Sequence, residues 1–84
     1  MDVKRFLNDS FRVLECLCKN EVIIQGKKTV RLTQDEIAAE LHLSKGKVNT
    51  LLKELIEDEY IRMASAGKYV IYKKGREVYD FINK

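Results

Sequence analysis

The chain has 84 residues and a net charge of +3, with 35% charged and 45% hydrophobic residues and no proline. That length fits one small domain, taken as residues 1–84, and no apolar run approaches the roughly 20 residues of a membrane span. The opening MDVKRFLNDS carries an acid and a polar pair, unlike a secretory signal, so a cytoplasmic protein without a membrane partner is expected.

Residues 3–19 are predicted to form a first helix. Val3, Phe6, Leu7, Phe11, Val13, Leu14, Leu17 and Cys18 give it a broad apolar face at helical spacing. Cys16 and Cys18 point to different sides, with Cys18 in the stripe and Cys16 at its edge. No Cys or His partner stands at metal-ligand spacing. They are therefore read as reduced structural thiols, with a redox-sensing thiol as the alternative, and neither a metal nor another cofactor is expected.

Asn20-Glu21 ends the helix. The β-branched run Val22–Ile24 and the stretch Thr29–Leu32 flank Gln25-Gly26-Lys27-Lys28, which predicts two short strands around a glycine-containing turn.

Residues 33–61 read TQDEIAAELHLSKGKVNTLLKELIEDEYI and carry the functional signal. Thr33 with Glu36 three residues on makes a capping box, and Ile37, Ala38 and Leu41 recur at helical spacing. His42-Leu43 is a turn, with Leu43 as its apolar plug. His42, the only histidine, lacks a visible acid–base partner and is read as a polar turn residue or phosphate contact. Ser44 is a second N-cap, opening a helix over about 44–58. Val48, Leu51, Leu52, Leu55 and Ile56 form its apolar stripe. Lys45, Gly46, Lys47, Asn49, Thr50 and Lys53 crowd its N-terminal half, while Glu54, Glu57, Asp58 and Glu59 lie at the far end. Bases at a helix N-terminus and acids at its C-terminus oppose the macrodipole; a nucleic-acid ligand at the N-terminal end accounts for the inversion.

Tyr60–Ala64 and Tyr69–Lys73 flank Ser65-Ala66-Gly67-Lys68, a predicted β-hairpin. Lys74-Gly75-Arg76 then starts a final helix with Val78, Tyr79, Phe81 and Ile82 as its apolar residues. No Ser/His/Asp set, phosphate-binding glycine loop or paired-carboxylate site can be assembled, so a non-enzyme is expected.

Residues 33–61 resemble the helix-turn-helix of bacterial winged-helix regulators of the MarR and Crp kinds. The match lies at Thr33, Gln34, Ile37, Ala38, Leu41, Ser44, Val48, Leu52, Leu55, Tyr60 and Ile61. Lys47 departs from the usual Thr or Ala, and Glu59 stands where a Gly commonly closes the recognition helix. Ile71–Val78 also resembles the segment that follows the wing, with Tyr72 in place of Thr. The resemblance implies an α+β, mainly helical fold: a three-helix core, a hairpin wing and an extra C-terminal helix. It carries DNA-contacting positions over to Ser44, Lys45, Lys47, Asn49, Thr50 and Lys53.

The expected function is sequence-specific binding of double-stranded DNA, as a bacterial or mobile-element transcriptional regulator. Asn49 suits bidentate contact with adenine, and Lys45 or Lys47 suits guanine acceptors. Thr33, Gln34, Thr50 and Lys53, with Arg62 and Lys68 of the wing, would hold phosphates. Origin binding by a plasmid or phage replication protein uses the same contacts, and a winged helix devoted to protein–protein interaction is the rival of a different class. No small-molecule ligand or effector domain is evident, so regulation would come from dimerisation, abundance or a partner. A homodimer is expected, with Phe6, Val13, Leu17, Tyr79, Phe81 and Ile82 at its interface, because these apolar residues exceed what a small core is expected to hide.

Overall fold

The structure, a computed structural model, describes residues 9–83. The elements run α1 (Asp9–Lys19), β1 (Glu21–Ile24), β2 (Lys27–Arg31), α2 (Gln34–Leu41), α3 (Lys45–Glu57), β3 (Ile61–Ser65), β4 (Lys68–Ile71) and α4 (Lys73–Ile82). Both predicted hairpins are present, and the final helix starts one residue earlier than its sequence signal. Val3, Phe6 and Leu7 lie outside the described residues.

The strands form one antiparallel sheet in the order β1-β2-β4-β3. Val30 pairs with Tyr69, and Met63 with Tyr69 in turn, so β2 bridges the first hairpin to the second. Paired residues share a sheet face, and Val30, Tyr69 and Ile61 are buried on one face. Against it pack Leu14 and Leu17 of α1, Ile37 and Ala38 of α2, and Val48, Leu51, Leu52 and Leu55 of α3.

Three corrections follow from this packing. Val13 and Leu17, expected at a dimer interface, are each 0% exposed within the chain, so they belong to its own core. Tyr79 and Ile82 are half-buried and pack on that core, which leaves Phe81, 73% exposed, as the outward apolar residue of α4. Cys16 lies as deep as Cys18 rather than at an edge. Its Sγ donates to Glu40 Oε2 at 2.7 Å, a neighbour 24 positions away that spacing along one helix could not reveal.

Polar contacts at the helix ends complete the frame. Arg12 Nη2 donates to the Leu41 carbonyl at 2.8 Å, so α1 satisfies one of the carbonyls that the last turn of α2 leaves open. Lys74 Nζ does the same for Asp58 at 2.9 Å and lies 4.5 Å from the Tyr60 ring centroid. Arg76 pairs with Glu21, tying α4 to β1. The cations Lys73, Lys74 and Arg76 thus have partners inside the chain.

Candidate nucleic-acid interface

Local chemistry fixes the two helices of the motif. Thr33 Oγ1 accepts from Glu36 N at 3.1 Å and Glu36 Oε1 accepts from Thr33 N at 3.0 Å, the reciprocal capping box. α2 ends at His42, whose φ of 58° is left-handed; the chain turns there, and Leu43 N donates to the Ala38 carbonyl at 3.0 Å. Leu43 packs against the core as the plug between the helices. Ser44 Oγ then accepts from Lys47 N at 3.1 Å, capping α3.

With Val48, Leu51, Leu52 and Leu55 buried, the 3.6-residue period turns Gly46, Lys47, Thr50 and Lys53 to solvent, and all four are exposed. Among the described residues, neither Lys47 nor Lys53 forms an ion pair. Thr50 Oγ1 donates to the Gly46 carbonyl at 3.1 Å. Asn49 is half-buried at the flank nearest α2, where Gln34 Nε2 donates to its Oδ1 at 3.4 Å. Lys45 Nζ lies 3.5 Å from Asp35 Oδ2. The first turn of α2 therefore reaches two of the side chains expected to read bases.

The wing is held beside this edge. Leu32 N donates to the Gly67 carbonyl at 3.1 Å, joining the wing turn to the segment entering α2. Gly67 supplies the left-handed φ of 73° that this turn requires. A cleft of about 380 Å³ runs between the two parts, lined by Thr33, Gln34, Asp35, Lys45, Met63 and Tyr69 among others.

The predicted contacts do not all meet. Thr33, Gln34, Ser44, Lys45, Lys47, Asn49, Thr50 and Lys53 occupy the helix pair, and Lys68 opens β4 beside the wing turn. Arg62 instead borders a hollow with Ile56, Glu59 and Lys73, toward the C-terminal end of α3. Two further charged residues stand at this edge, outside the contacts assigned from the motif. Arg31 lies directly opposite Lys68 across β2 and β4. Like charges so placed oppose pairing, and neither forms an ion pair among the described residues, so together they favour an anion. Asp35 is the other, placing a negative charge at the reading edge. Strand register reveals the first and helix-to-helix packing the second; neither leaves a local sequence signal.

Three helices, a helix-turn-helix with its second helix turned outward and a hairpin strapped beside it define a winged helix-turn-helix. Residues 27–62 match the family model described as winged helix-turn-helix DNA-binding, so the chain carries a motif of that type. Among solved structures it is similar to a transcriptional regulator of the CRP/FNR family from Thermus thermophilus, at 23% identity and a TM-score of 0.72, covering 92% of this chain and 43% of that one. It is also similar to the reduced CO-sensing protein from R. rubrum, at 23% identity and a TM-score of 0.72, covering 89% and 38%. A third is a CooA mutant from Carboxydothermus hydrogenoformans, at 17% identity and a TM-score of 0.69, covering 92% and 38%. The chain thus spans about two fifths of the length of these proteins. No curated protein matches it.

Proposed function

We propose that the chain binds double-stranded DNA sequence-specifically as a transcriptional regulator, with α3 in the major groove and the wing on the backbone. The observation that carries this reading is the composition of α3's outward arc. Among the described residues, Lys47, Thr50 and Lys53 are exposed there, neither lysine has an acidic partner, and Gly46 has nothing within 4 Å of a would-be Cβ. Such a helix gains little stability from its own surface, whereas a phosphate-lined groove complements it. Asn49 and Lys45 would read base edges. Ser44, Lys47, Thr50, Lys53, Thr33 and Lys68 would hold phosphates, joined by Arg31. Arg62 is a contact only for DNA that wraps beyond the wing. The similar structures named as transcriptional regulators support the same role.

We also propose a cytoplasmic, non-enzymatic homodimer joined through the outward side of α4 around Phe81. A two-fold pair would set two recognition helices about 34 Å apart, one turn of DNA.

The test uses two variants on a DNA site selected by the protein. Lys53→Ala weakens all duplexes about equally and lowers the salt slope by about one unit. Asn49→Ala costs about 1–3 kcal/mol on the best site and flattens the preference at one base pair. Unchanged binding by both variants would mean that this face does not meet DNA.

A further inference from the structure

We infer that Gln34 is a positioning residue that sets base preference through Asn49, rather than an independent phosphate contact. The inference rests on the DNA-binding reading above and assigns Gln34 a role that the sequence did not suggest.

Three observations lead to it. Gln34 is the first residue of α2, inside the Thr33–Glu36 capping box whose two hydrogen bonds fix the local backbone. Its side chain is half-buried and donates through Nε2 to Asn49 Oδ1 across the helix pair, 15 residues away. Asn49 is itself half-buried, at the boundary between the buried Val48 and the exposed Thr50.

A terminal amide can rotate broadly about its last torsion. Bidentate contact with adenine needs the amide plane aligned with the base edge, with its oxygen facing N6 and its amino group facing N7. Accepting from Gln34 at 3.4 Å, a long bond, biases that plane and turns the oxygen toward α2. The oxygen retains a second lone pair and the amino group both hydrogens, so donor and acceptor remain available to the base. Conformational freedom that would otherwise be lost on binding is already restricted in the free protein, and such preorganisation appears as affinity and selectivity. The neighbouring Asp35–Lys45 pair shows that the same turn of α2 reaches a second side chain of α3.

A phosphate-binding glutamine and a positioning glutamine differ in coupling. The experiment is a double-mutant cycle on the selected duplex and its single-base variants, with thermal melts confirming that each protein folds. On the best site Asn49→Ala is expected to lose about 10- to 100-fold in affinity. Gln34→Ala is expected to lose about 3- to 10-fold, to flatten preference at the same base pair and to leave the salt slope unchanged. In the Asn49→Ala background it should lose less than about 2-fold, because the coupling belongs to the pair. Gln34→Met, which keeps length and packing but cannot donate, should behave like Gln34→Ala. Equal losses in both backgrounds, or full activity of Gln34→Met, would overturn the inference while leaving the DNA-binding reading intact. An Asn49→Ala protein with undiminished specificity would overturn the inference and the base contact given to Asn49, while leaving DNA binding itself in place.

Discussion

A methyl group at Gly75 would run into the Tyr60 carbonyl oxygen and stand 3.3 Å from Ile71 Cγ2. That carbonyl already accepts from Tyr72 N at 3.0 Å and has little room to yield. Alanine is the better helix former by about 1 kcal/mol, yet overpacking typically costs about 1–3 kcal/mol. Gly75→Ala should therefore destabilise the fold in urea titration; unchanged or raised stability would show that the carbonyl moves aside. Gly46 is the opposite case, with open space around it. There Gly46→Ala should raise stability by about 0.5–1 kcal/mol and weaken DNA binding, since close backbone approach is lost. A variant more stable and equally tight would remove the glycine from the interface.

The buried thiols add a pH dependence. Burial first, then the hydrogen bond and charge of Glu40, pushes Cys16 from 9.0 up to about 12. Burial pushes Cys18 up to about 11 and also raises Tyr69. Each is neutral when protonated, so their contribution is fully present below the ordinary thiol value and is lost as pH rises through the folded-state values. Stability should fall as pH climbs from 9 toward 11, less steeply in Cys16→Ala, and both thiols should resist alkylation at neutral pH. Rapid alkylation of the folded protein would contradict the burial.

Among the elements, α3 ends against the rules of local propensity. Glu59 takes a φ of 61°, Tyr60 N donates to the Leu55 carbonyl at 2.9 Å and Glu59 N to the Ile56 carbonyl at 3.1 Å. That is a Schellman closure with glutamate where glycine would be at ease. Glu59→Gly should stabilise the protein by about 0.5–1 kcal/mol; a loss would mean that the Glu59 side chain contributes a contact worth more than the strain. Leu52, 1% exposed, should cost about 2–5 kcal/mol as Leu52→Ala. A melt within a few degrees of the parent would show that the stripe does not face the core.

These element ends were legible because capping is local. Thr33, Glu36 and Ser44 act within three residues of themselves, and the glycine turns bend the chain where they stand. The stripe of α3 was legible from its period. The burial of α1 was not, because α2, α3, α4 and β4 pack around it and a helical wheel shows only how many sides are apolar, not how many are covered. Val13 and Leu17 were misplaced for that reason, and Cys16 because Glu40 lies on another helix. In the site, the residues on α3 followed from sequence, whereas Arg31 opposite Lys68 and Gln34 against Asn49 depend on register and packing between segments.

At the scale of the whole molecule, the basic residues divide by use. Arg12, Lys74 and Arg76 bind other parts of the chain, while Lys47, Lys53, Arg31 and Lys68 are exposed on the side of α3 and the wing and form no ion pair among the described residues. A net charge of only +3 thus understates the local field that a phosphate backbone would meet. The proposed dimer adds symmetry to that field. Phe81→Glu should convert a dimer in sedimentation to a monomer, because a charge placed in an apolar interface has no partner there; a parent protein that sediments as a monomer at micromolar concentration would exclude the assembly.

The central claim is that α3 reads DNA sequence, and selection of bound duplexes from a random pool tests it most directly. The account predicts enrichment of a defined motif whose best member binds at least about 1,000-fold tighter than random DNA, with affinity falling steeply in salt. Recovery of no motif, with equal and weak binding of all duplexes, would contradict it.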